Sequence, residues 1–276
     1  MPLPVPVTMD PGSAPAGGLL ALSRGLPDRW ERGISWADTS CTRPVAMGEC
    51  PTADDLKPPQ PVSVETFRPV ELIQSIECTT LGGGPAGLAG LALDATRDYA
   101  LAHELLTGEA SARDASDPEH ANPSLVGAAV DLGAFPFLAQ AVACLDQRLA
   151  SATAGRGGYL LVGADMATYL LANRLIWRDG ARWRTAAGST VIVSAGFDGR
   201  GPGDTAPPAA GAALAIYAVA NVWTGIGSRS LLADVNRANN TATERAEDLA
   251  LAAFTTCAVF AASSTEATSC GPDESP

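Results

Sequence analysis

The sequence predicts a mixed α+β fold organised around one long helix, and three observations point there. Gly82 to Gly108 carries the strongest helical periodicity in the chain. Residues 155 to 260 then run as helix, Gly-bounded strand, Trp-containing hairpin, loop and further strands. The third observation is chemical poverty. His103 and His120 are the only histidines, Lys57 is the only lysine, and no catalytic constellation runs along the chain. Function therefore has to be read from architecture.

At 276 residues the chain is long enough for one large domain or two small ones. Hydrophobic residues make up 46% and charged residues 17%, as in a globular core, while 21 prolines and 28 glycines imply long loops or arms. A net charge of −12 leaves no cationic stripe to neutralise phosphates, so nucleic acid enters as a neighbour and not as a ligand. Met1 to Leu20 has no basic leader, and no apolar run reaches the ~18 residues of a membrane span, so a soluble, cytoplasmically made chain is expected. The six cysteines form no CxxC pair and read mostly as free or buried thiols. Cys41 and Cys50 are the candidate disulfide, closing a short loop in an oxidising medium.

Taken in order, residues 1 to 61 are interrupted by prolines at 2, 4, 6, 11, 15, 27, 44, 51, 58, 59 and 61, so neither helix nor sheet runs far. This segment reads as an arm anchored by Trp30, Ile34 and Trp36, lying on a neighbouring subunit or on its own core. Val62 to Ile76 alternates loosely through Val64, Phe67, Val70 and Leu72, which predicts extended hairpin strands interrupted at Pro69. In the long helix Pro85 suits the first turn, and Leu88, Leu91, Ala95, Tyr99, Ala102 and Leu106 form the apolar stripe. Asp94, Arg97, Asp98 and Glu104 take the other faces, and Gly108 is the stop.

Residues 109 to 132 read as a polar connection, and Pro136 then opens a second amphipathic helix through Leu138, Val142, Leu145 and Leu149, stopped by Gly155, Gly157 and Gly158. Tyr159 to Val162 predicts a buried strand, and Asp165 caps a helix through Leu170, Leu171 and Leu175. Trp183 to Thr185 and Thr190 to Ser194 flank a small turn as a hairpin. Asp198 to Ala212 is loop, and Leu214 to Val219 and Val222 to Ile226 resume β character. Thr243 to Ala253 is helical by propensity yet alternates as a strand does, and both readings stay open. A C-terminal strand is expected to return to the sheet that Val222 starts, followed by a polar tail from Ser263.

Gly82 to Gly90 reads like the glycine-rich turn that lets a flavin or nicotinamide pyrophosphate approach a helix N-terminus. That mechanism needs buried strands before and after the helix, and the flanking segments are too polar, so a glycine-rich lead into a helix is the better reading. No serine sits in a GxSxG elbow. Glu244, Glu247 and Asp248 interleave with Arg237 and Arg245 as solvated or intersubunit ion pairs do. Trp177 and Trp183 interleave with Arg174, Arg178, Arg182 and Arg184, and Trp223 follows. In an acidic chain this composition favours a protein interface over base stacking.

The order of these parts resembles tailed-phage major capsid proteins of the HK97-type fold, a fold shared with encapsulins. The resemblance rests on Gly180 to Gly199, which is similar to the t-x-x-G-x-x-V-V-x-x-G-y-x-G passage of such chains, on Ala215 to Val222, and on Asn236 to Ala246. It implies an N-terminal arm at 1–61, a short extended loop at 62–84, and a spine helix opening a peripheral domain at 85–119. An axial domain would occupy 120–215, strands would return to the peripheral domain at 216–262, and a tail would end the chain at 263–276.

The implied role is a self-assembling icosahedral shell enclosing DNA, without cofactor or catalysis, built in the host cytoplasm and residing in the virion. Copies of the chain would be its main partners, with portal, scaffolding or decoration proteins beside them. Trp30, Trp36, Phe67, Trp177, Trp183, Trp223, Arg237 and Arg245 are the candidate intersubunit contacts. With Lys57 the only possible donor, no covalent lysine–asparagine mesh is expected. An encapsulin-like compartment, a tail or decoration protein, and more remotely a flavin enzyme using Gly82 to Gly90 are the competing readings.

Overall fold

The computed structural model describes residues 17–26, 29–37, 64–78, 87–112, 121–236 and 241–268. In chain order the elements begin with α1 (Leu19–Leu22), β1 (Arg24–Gly25), a 3-10 turn (Trp30–Arg32), β2 (Ile34–Ala37), β3 (Val64–Phe67) and β4 (Val70–Cys78). The long helix α2 (Leu88–Thr107) follows, then α3 (Glu109–Ala112), α4 (Leu125–Ala128), β5 (Val130–Phe135) and α5 (Leu138–Ala152). Next come β6 (Tyr159–Val162), α6 (Ala164–Ala172), β7 (Ile176–Asp179), β8 (Arg182–Thr185) and β9 (Thr190–Val193). The last strands are β10 (Ala213–Val219), β11 (Val222–Asn236), β12 (Thr241–Phe254) and β13 (Val259–Thr268).

Two sheets organise these parts. One is four-stranded in the order β1-β11-β12-β4, with α2 packed against β12 and β4. The other is seven-stranded and mixed, in the order β5-β13-β10-β6-β9-β8-β7. Its strands β6 and β10 are almost continuous apolar runs, and the structure shows why: both faces are covered. Leu161, Ile192, Ala215, Tyr217, Val219 and Ala261 turn to the core shared with α2 and the four-stranded sheet. Their neighbours Leu160, Val162, Val191, Ile216, Ala218 and Ala262 turn to the core beneath α5 and α6. The two-residue period of a strand thus splits one apolar run between two cores.

Several expectations are corrected. Residues 243–253 are strand, because β12 pairs with β11 on one side and β4 on the other, and ladder bonds on both edges outweigh the Ala/Glu/Leu helix propensity. The C-terminal strand pairs with β10 and β5 in the seven-stranded sheet, not with the sheet Val222 starts, and it runs on to Thr268, past the start assigned to the tail. Residues 130–132, read as the end of a connection, open the parallel edge strand β5. The strands either side of Pro69 are no hairpin: β3 pairs with β2, whereas β4 pairs with β12.

The helix α2 ends at Gly108 in the left-handed region as expected, but its buried stripe is rotated. Ala89, Leu93, Leu101, Leu105 and Leu106 are in the core, while Leu91 and Tyr99 are exposed. The rotation buries Asp98 and Glu104, each hydrogen-bonded to otherwise orphaned groups. Asp98 accepts from the Leu20 N–H at 2.9 Å, tying α1 to the helix. Glu104 accepts from the Ala110 N–H at 2.7 Å and from Asn122 Nδ2 at 3.2 Å. Asn122 in turn holds the β3–β4 junction, accepting from the Arg68 N–H at 2.7 Å and donating to the Arg68 carbonyl at 2.9 Å.

Candidate assembly surfaces

The long antiparallel β11–β12 strand pair is fixed from one side by α2. Asp248 of β12, 1% exposed, takes Arg229 Nε on Oδ1 at 3.1 Å and Arg97 of α2 on Oδ2. Arg229 also reaches Asp94 of α2 at 2.5 Å and the Gly90 carbonyl at 3.2 Å. The hydrogen bond from Arg229 holds the Asp94 carboxyl below the usual carboxylate range, and the same pairing with Asp94 and Asp248 holds the Arg229 guanidinium above its ordinary value. A Cβ on Gly90 would sit 3.0 Å from Arg229 Nη1, so the guanidinium would have to give by a few tenths of an ångström. Register slip is resisted here at a break in the β11–β12 pairing between Ile226 and Arg229.

At the start of α2, the Gly87 N–H donates to both Glu244 carboxylate oxygens at 2.9 Å. This answers the glycine-rich motif: the anion that meets this helix terminus is the chain's own β12 carboxylate, which occupies the place a pyrophosphate would need. Residues 81–86 of that motif lie outside the described residues.

With α2 on the inner face, the pairing register puts Ile73, Ser75, Leu232, Arg245 and Glu247 on the outer face. There Ile73 is 47% and Leu232 53% exposed, flanked by the Arg245–Glu247 pair at 2.5 Å. Leu231 and Val235 are also exposed, but by the same alternation they lie on the opposite, α2-side face. Exposed apolar side chains on the two strands either side of a central charge pair, on a face braced from behind, suit a protein contact surface. The sequence pattern marked Arg245 and Glu247 but not Ile73 or Leu232. Two adjacent leucines in Ser230 to Asn236, which strand alternation divides between the two faces, were the available signal.

The candidate contacts assigned from sequence separate into three groups. Phe67 is a correction: it is fully buried and meets Phe254 edge-on, with centroids 5.4 Å apart, so it belongs to the chain's own core. Trp30 is likewise buried, against Gly225 of β11, which places this part of the arm on its own subunit. Trp177 on the edge strand β7 and Arg245 are exposed, and Trp183 is half-buried opposite Arg178. Trp36 lies in β2 opposite Glu65. Arg237, Cys41, Cys50 and Lys57 lie outside the described residues. The expectation of free thiols fails at Cys257, which is disulfide-bonded, and holds at Cys144.

Half-buried Trp223 lines a polar cleft of about 420 Å³ together with Arg24, Arg156, Arg182, Arg184 and Tyr159. The Arg/Trp interleaving of the sequence therefore converges partly in space, joining β1, β8 and β11 at the turn before β6. Among the described residues no group of three or more His, Cys, Asp or Glu side chains forms a metal site, and no helix is long and apolar enough to cross a membrane.

Comparison with known proteins gives no match to any family model and none to any curated protein sequence. Solved structures do match, over nearly the whole chain. The capsid of an empty GTA particle, computed with C5 symmetry, aligns with a TM-score of 0.53 at 12% identity, covering 95% of each chain. A chain of Microbacterium phage Oxtober96 gives 0.53 at 13% identity, covering 95% of this chain and 94% of its own. A chain of Gordonia phage Cozz gives 0.52 at 12% identity, with coverages of 94% and 91%. The fold is the HK97-type capsid fold.

Proposed function

We propose that this chain is the major capsid protein of a tailed bacteriophage or phage-like particle, tiling with copies of itself into a closed icosahedral shell around DNA. The observation that carries this reading is the outer face of the four-stranded sheet, apolar at Ile73 of β4 and Leu232 of β11 and braced from behind by the Asp94–Arg97–Arg229–Asp248 cluster. A surface held this stiffly loses little entropy on docking, and a closed lattice repeats each contact in every copy. Burying a leucine-sized side chain contributes about 1.5–3 kcal/mol, so a few such contacts per edge suffice when multiplied by symmetry.

The net charge of −12 supports a wall that repels phosphates, so that packaged DNA is enclosed without being gripped. In this reading the protein is structural, without cofactor, and its place is the virion. The 1–61 arm, the peripheral unit built on α2 and the axial unit built on the seven-stranded sheet are its working parts, and portal, scaffolding or decoration proteins are its companions. Electron microscopy of the expressed chain, alone and with companion proteins, tests the reading. Closed particles are expected, and a chain that forms only rings or knobs on another lattice would be a tail or decoration protein instead.

A further inference from the structure

An apolar groove of about 440 Å³ opens beside α6, with Ala167, Leu171, Ile176, Trp183 and Val193 along its walls and Gly17 at one end. Leu171 is 43% exposed and Trp183 half-buried, so the groove is uncovered among the described residues. Gly17 is seated firmly: its carbonyl accepts from the Val193 N–H at 3.0 Å, and a Cβ on it would lie 3.5 Å from Trp183 Cδ1. Gly17, the first described residue, thus stands at the groove. Residues 1–16 lie outside the described residues, but their chemistry is legible. Pro2-Leu3-Pro4-Val5-Pro6-Val7 alternates proline with apolar residues, and the first charged side chain after it is Asp10.

Proline fixes φ and biases the residue before it towards extended backbone, so this alternation costs little further entropy to hold as a left-handed polyproline helix. Such segments are recognised by grooves walled with aromatic and small apolar side chains, which is what Trp183 and the alanines supply. We propose that the groove is the docking site for residues 2–7 of the same chain. The ten residue steps from Val7 to Gly17 span up to roughly 30 Å at ~3.1 Å per residue, ample for the chain to double back. A tether of that length gives an effective concentration of order millimolar, so in dilute solution the chain's own segment outcompetes that of a second copy. This inference concerns the single subunit and does not depend on the capsid reading.

A photo-crosslinking residue at position 5, in a dilute mixture of isotope-labelled and unlabelled full-length chains kept unassembled, tests it. The expected products join position 5 to Leu171, Ile176 or Trp183 within chains of one label. Ala167→Trp, which fills the groove, should abolish them, and Leu171→Glu at the exposed rim serves the same purpose if the first variant fails to fold. Crosslinks mapping elsewhere, groove crosslinks found only between differently labelled chains, or a yield unchanged in a folded groove variant would overturn the proposal.

Discussion

Trp30 lies against Gly225 of β11, so close that a Cβ on that glycine would fall 2.7 Å from the indole Cε2 and 2.9 Å from Leu26 Cδ1. A rigid ring cannot yield as the end of a long side chain would. Gly225→Ala is expected to displace the turn at Trp30–Arg32 and to destabilise the subunit by about 1–3 kcal/mol. Trp30→Ala, which empties the same site, should cost about 3–5 kcal/mol. Urea titration of the unassembled chain measures both.

Asp248 is the acid on which two arginines depend. Asp248→Asn leaves Arg97 and Arg229 sharing a site without its charge, and the expected loss is about 3–5 kcal/mol by thermal or chemical unfolding. Glu247→Gln, on the opposite face and paired with Arg245 of the same strand, should stay within about 1 kcal/mol of the parent.

The pH dependence of the cluster has a defined sign. Asp94 is held below its ordinary value when folded, so its contribution is fully present above the unfolded value near pH 4 and is lost as pH falls through the depressed folded value. Stability measured from pH 6 downwards should therefore decline in the acid range, and Asp94→Asn should remove part of that slope. An unchanged slope in the variant would mean that other carboxylates carry it.

Phe67 and Leu232 should behave oppositely. Phe67→Ala is expected to cost about 3–5 kcal/mol of subunit stability, because its ring fills the core beside Phe254. Leu232→Asp lies on the exposed outer face, so the folded subunit should keep its melting temperature while particle formation fails. Comparing unfolding with particle yield for the two variants checks this directly.

Much of the architecture was legible in the sequence because local signals and tertiary packing agreed. Gly108 stops α2 in the one conformation glycine favours, and Leu138, Val142, Leu145 and Leu149 mark the buried face of α5. Legibility failed where a partner distant in sequence decides the outcome. The alanine-rich β12 is strand because β4 and β11 flank it, and β13 joins the seven-stranded sheet through β10 and β5. Buried Asp98 and Glu104 looked like surface charges because the N–H groups they satisfy come from other elements. The contact surface suffered most. Aromatic content pointed to Phe67 and Trp30, which the chain uses internally, while modest aliphatic residues on the far side of the strand pair were left exposed.

Sedimentation velocity of the purified full-length chain, over a range of concentrations and with companion proteins present, addresses the central claim most directly. The account predicts a population sedimenting as large closed particles, lost in Leu232→Asp while that variant persists as a folded subunit. A single boundary at the mass of one 28.1 kDa chain under every condition would contradict it.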